Sequence, residues 1–91
     1  MRVEATPSDD GGWTCQVVVE AGRRLTEHTV SVSAADVARW GRLTSQAGVE
    51  DLVRRSFDFL LEREPQDSIL RRFDLSVIES YFPEYDETIR D

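Results

Sequence analysis

The stretch WTCQVVVEAGRRLTEHTVSV, residues 13–32, carries apolar side chains at alternate positions, the period that gathers them on one face of a strand. Trp13, Cys15, Val17 and Val19 fall on one side of the first run, with Thr14, Gln16, Val18 and Glu20 on the other. From Leu25 to Val32 the alternation resumes, setting His28, Val30 and Val32 opposite Glu27, Thr29 and Ser31. Ala21-Gly22-Arg23-Arg24 lies between the runs, and its glycine supplies the positive φ that a tight hairpin demands. Two half-buried strands joined by a turn are expected, with helices covering the side that carries His28, Val30 and Val32.

Toward the N-terminus, residues Arg2 to Thr6 read as a third strand, set off by the turn-forming Pro7-Ser8-Asp9-Asp10-Gly11-Gly12. Toward the C-terminus the period changes at Ser33, where Ser33-Ala34-Ala35-Asp36 has the layout of a capping box. A helix is expected from there to about Leu43, burying Val37, Trp40 and Leu43, followed by a loop over 44–48. Val49, Leu52, Val53, Phe57, Leu60 and Leu61 follow the i, i+3, i+4 spacing of a core helix over Val49–Glu64. Glu50 and Asp51 would sit in its first turn, complementing the helix dipole, and Pro65 would end it. A short turn about Ser68–Phe73 leads to Asp74, placed to cap a last helix carrying Leu75, Val77, Ile78, Tyr81 and Phe82. Residues 84–91 form an acidic end, expected to fray or to dock on a neighbour.

The expected fold class is α+β: a three-stranded antiparallel meander over about 1–32, then two to three helices packed on one of its faces over 33–83, then the tail. No second domain or internal repeat is visible in the 91 residues. Folding a chain of this size hides only about 60–65% of its unfolded surface, so a partner or a second copy is an expected supplement to the core. Hydrophobic residues at 40% and charged residues at 32% exclude a disordered chain.

The 18 acidic residues outweigh the 11 basic ones for a net charge of -7, which argues against sequence-independent binding to nucleic acid. Every one of those basic residues is arginine; codon usage in a GC-rich genome accounts for this more simply than a need for bidentate anion contacts. Cys15 is the only cysteine, so neither an internal disulfide nor a thiolate cluster is available, which fits a reducing compartment. The first residues lack the apolar run of a signal peptide, and no stretch reaches the roughly 18–20 apolar residues of a membrane span. The expectation is a cytoplasmic protein.

His28 is the sole imidazole, but Glu27 beside it points to the other strand face, so no orienting carboxylate is evident. With one histidine and one cysteine, a zinc or two-histidine iron set cannot be assembled. Cys15 lies mid-strand on the apolar face, where a cysteine behaves as a small hydrophobe. Acid pairs such as Asp9-Asp10 or Glu62 with Glu64 do not converge, because near neighbours in sequence face different ways. No catalytic residue, cofactor site or metal site is therefore assigned, and a non-enzyme is expected.

Three arginine pairs remain: Arg23-Arg24 in the hairpin, Arg54-Arg55 on the core helix and Arg71-Arg72 beyond it. Glu50, Asp51 and Asp58 stand at helical spacing from the middle pair and occupy it, leaving Arg23 and Arg24 the freest. The segment YFPEYDE, residues 81–87, joins large rings to a negative fringe, which suits either an interface anchor or a helix end folded back over its own core with Tyr81 and Phe82 buried. Tyr81, Phe82, Tyr85, Arg23 and Arg24 are the candidate partner-binding residues.

The segments SFDFLLEREP (56–65), SILRRFDL (68–75) and YFP (81–83) resemble a family of small uncharacterised bacterial proteins, a resemblance covering about residues 25–85. It implies a bacterial, stand-alone protein and carries over no functional residue. In fold order alone, a meander leading into a helix is similar to the truncated ribonuclease-H-like sheet of some antitoxins. The leading expectation is a non-enzymatic protein-binding or regulatory module, self-associating or bound to another protein. The alternative is an antitoxin-like or nucleic-acid-linked regulator working through its arginine pairs.

Overall fold

The computed structural model describes residues 1–91. Strands β1 (Arg2–Pro7), β2 (Trp13–Ala21) and β3 (Arg24–Val32) form the antiparallel meander. Ala21 pairs with Arg24, leaving Gly22-Arg23 as a two-residue loop. Gly22 adopts φ +61° while no other residue type has positive φ, the arrangement of a type II′ turn. Val17 stands opposite His28, and Cys15 opposite Val30. All four are buried, so the face carrying His28, Val30 and Val32 is the covered one, as its apolar pattern requires.

Helix α1 (Ala34–Trp40) is capped by Ser33, whose Oγ accepts from Asp36 N–H at 3.1 Å. The reciprocal half of the expected capping box is absent: the Asp36 carboxylate bonds Arg39 instead, at 3.3 Å. The helix stops at Trp40, three residues short of the expected end, and Leu43 is exposed. Helix α2 (Gln46–Leu61) begins earlier than its apolar stripe, because Ser45 caps it by accepting from Gly48 N–H. Gly48 is needed there, since a Cβ would collide with the Leu43 carbonyl. Glu50 is thus in the second turn, where its carboxylate accepts from Ala5 N–H of β1 at 2.9 Å. Phe59 is buried by this helix, whereas Leu61 is only half-buried.

Two elements depart from the expected fold. Residues 72–74 are a fourth strand, β4 (Arg72–Asp74), parallel to β3 in a sheet of order β1-β2-β3-β4. Asp74 lies in that strand and accepts from Ser76 N–H at 3.1 Å, ahead of the short helix α3 (Val77–Tyr81). The acidic end is helix α4 (Tyr85–Arg90), which buries Tyr85 and Ile89. The result is an α+β layer of four helices on one face of a mixed sheet around a single core cluster. None of the helices is long and apolar enough to cross a membrane.

Candidate functional site

After α2, Pro65 turns the chain into a 3₁₀ turn over Gln66–Ser68, and an extended strap leads from it to β4. Buried polar groups tie this strap to the sheet. The Gln66 amide donates to Val19 O at 2.8 Å and to Thr26 Oγ1 at 2.9 Å. His28 Nδ1 lies 2.7 Å from Leu70 O; a carbonyl only accepts, so this nitrogen carries the proton. Burial lowers the His28 pKa, an effect that the Leu70 bond opposes and nearby Arg71 reinforces. The neutral ring then accepts from Thr26 O–H through Nε2, at 2.9 Å. Three of these bonds run in one direction, from Gln66 through Thr26 and His28 to Leu70 O of the strap. His28 is a structural residue with both nitrogens engaged and its ring edge-on to Phe57, 5.2 Å away.

Held this way, the strap buries some residues and exposes a run of three, Leu70 to Arg72. Ile69, Phe73 and Leu75 turn into the core, whereas Leu70 is left 48% exposed. Between the strap, the end of α2 and α3 lies an open cleft of about 420 Å³, a volume typical of ligand-sized sites, roughly 300–1,000 Å³. Leu60, Ile69, Phe73 and Ile78 form its apolar depth, and Leu70, Val77 and Tyr81 its upper wall. Phe82 closes one end, edge-on to Phe59 with ring centroids 5.8 Å apart. Glu64 is the only charged residue lining the cleft, and none of the chain's ion pairs includes it.

The structure brings Tyr81 and Phe82 together in this cleft, Tyr81 exposed and Phe82 half-buried. Tyr85 is separated from them: it is a core residue with no exposed surface. Its hydroxyl pairs with Ser56 Oγ at 2.7 Å, and its ring packs edge-on against Trp40 and Phe59. Trp40 Nε1–H in turn donates to Asp86 at 2.8 Å, so aromatic and acidic groups of the C-terminus serve the fold itself. The hairpin arginines also part company. Arg24 is paired with Asp67 of the 3₁₀ turn, while Arg23 enters no ion pair. Arg55 is held by Asp51 at 2.9 Å, the i, i+4 contact its spacing implies.

Ile69, Leu70 and Phe73 are the strap residues of the cleft that sequence reasoning passed over. The available signal was the apolar pair Ile69-Leu70 in a segment otherwise read as a turn. No family model, curated protein or solved structure matches this chain. The chemistry of the cleft therefore stands on its own geometry, and that geometry offers apolar contact with one negative charge at the wall.

Cys15 lies outside the cleft. Burial, with a smaller contribution from Glu50, pushes its thiol up to about 12. The native protein should react with Ellman's reagent on the order of a thousandfold more slowly than the urea-unfolded chain, since the thiolate is the reacting form. Equal rates would place Cys15 at the surface.

Proposed function

We propose that this protein is a non-enzymatic binding module, working in the reducing cytoplasm, that receives an apolar segment of a partner protein in the cleft beside Tyr81. The observation that carries this reading is the open apolar cleft with Leu70 and Tyr81 standing exposed at its wall, 48% and 69% accessible. Large apolar side chains left in water beside a concavity mark interaction sites more than isolated ones do. Glu64 favours a partner segment in which an arginine or lysine flanks the apolar anchors, and the acidic surface steers such a segment to the cleft.

Leu70→Asp and Tyr81→Asp, made together, test the idea, because both positions are exposed and the fold should survive with little change in stability. In a tagged pull-down from the host at high salt with nuclease, the wild type should retain a stoichiometric protein that the double variant loses at least about tenfold. Equal retention by a double variant with unchanged circular dichroism would overturn the reading. Recovery of nucleic acid that disappears as salt rises would favour a role for the unpaired arginines instead.

A further inference from the structure

The two edges of the sheet are finished differently. On β1, Ala5 turns its peptide groups outward, and α2 satisfies both: Glu50 accepts from Ala5 N–H and the Gln46 amide donates to Ala5 O at 3.0 Å. Pro7, at the end of the same edge, has no N–H to offer. At Ala5 and Pro7 that edge therefore resists a further strand.

On β4 nothing comparable is present. Thr29 N–H donates to Arg71 O and Leu75 N–H donates to Ser31 O. In this parallel register the peptide groups of Phe73 also face β3, and those of Arg72 and Asp74 face away. No side chain of the protein hydrogen-bonds to the N–H or C=O of either residue, whereas on β1 Glu50 and Gln46 do so at Ala5. The Arg72 side chain is exposed, with no ion-pair partner. The Asp74 side chain accepts from Ser31 and Ser76, which orient its carboxylate.

We propose that β4 pairs with β4 of a second copy, antiparallel about a two-fold axis at Phe73, joining the two sheets into one of eight strands. The register follows from the edge itself. With Phe73 opposite the partner's Phe73, Arg72 lies opposite the partner's Asp74, and the reverse holds by symmetry. Those are the residues whose peptide groups face outward, so each pair closes two backbone hydrogen bonds and four form in all. The same pairs set a guanidinium beside a carboxylate across the strands on the uncovered sheet face, twice. A foreign strand would have to supply the inverse charge order, whereas a second copy carries it already. The axis stands perpendicular to the sheet, so both helical layers lie on one side and the two apolar clefts adjoin across it.

The interface is small, so association is expected to be weak and concentration-dependent, and light scattering of the full chain at rising concentration should show the mass rise toward twice 10.4 kDa. Arg72→Glu places like charges opposite each other at both pairs and should weaken association at least about tenfold, as should Asp74→Arg. Mixing these two variants restores opposite charges at both pairs, so the mixture should dimerise where each alone does not. Amide hydrogen exchange at Arg72 and Asp74 should slow in the dimer and stay fast in the Arg72→Glu chain. A monomer at millimolar concentration would overturn the proposal. So would a dimer indifferent to Arg72→Glu, or an edge that instead takes up an unrelated extended peptide. The cleft reading is scored separately, since Leu70→Asp with Tyr81→Asp leaves Arg72, Asp74 and their peptide groups unchanged.

Discussion

Tyr85→Ala should destabilise the protein by about 3–5 kcal/mol, the cost of deleting a fully buried aromatic side chain. Tyr85 has no exposed surface and packs edge-on against Trp40 at 5.0 Å and Phe59 at 5.2 Å. It therefore joins α4 to α1 and α2 at once. Small domains have only about 5–15 kcal/mol of total stability, so the melting temperature should fall on the order of 20 °C. Tyr85→Phe keeps the ring and removes the hydroxyl; because Ser56 Oγ also donates to Leu52 O at 2.8 Å, that change should cost only about 1 kcal/mol. Urea unfolding followed by circular dichroism measures both. An unchanged midpoint for Tyr85→Ala would show that residues 85–90 lie off the core.

His28→Leu should cost about 1–3 kcal/mol, because it leaves the part-buried Leu70 carbonyl without its donor and the buried Thr26 hydroxyl without its acceptor. The same substitution should abolish one part of the pH dependence of stability. Burial depresses the His28 pKa in the folded protein below its ordinary value, which is about 6.5 in the unfolded chain. Above that pH both states are neutral at this ring and stability is flat. As the pH falls below it, the unfolded chain takes up a proton that the folded protein refuses, so stability declines until the folded pKa is reached. Carboxylates such as Asp74 act in a lower window. Burial raises its pKa, but hydrogen bonds from Ser76 and Ser31 outweigh this and hold it below the usual range. Its stabilisation is present above the unfolded pKa and is lost as the pH falls through the folded one. His28 is the only histidine, so a decline between pH about 6.5 and 5 that persists in His28→Leu would refute the assignment.

The meander was legible from residues 13–32 because strand alternation is a local property: Cys15, Val17 and Val19 must share a face whatever they meet. The side carrying His28, Val30 and Val32, expected to be the covered one, registers with Val17, Cys15 and Trp13 across the hairpin. The core helix was legible in its apolar stripe but not in its start, which Ser45 and a close approach of Leu43 to Gly48 decide. Tyr85 and Ile89 stand four apart, with acids ahead of them and Arg90 behind, which is a helix signal. Their acidic surroundings masked it.

Sequence alone thus determined the pairing within the antiparallel meander, the arginine-only basic set, the lone thiol on the apolar strand face and the amphipathic core helix, all of which rest on patterns close along the chain. Tertiary structure alone decided the rest. Arg72-Phe73-Asp74 is too short to announce itself as a strand and becomes one only because the strap delivers it beside β3. The strap is positioned by Gln66 and His28, bonds that span some forty residues. The same long-range bonds leave Leu70 and Tyr81 at the cleft, take Tyr85 into the core, and leave one sheet edge open. Such outcomes depend on which groups of a folded chain are already satisfied, and that accounting closes only in three dimensions.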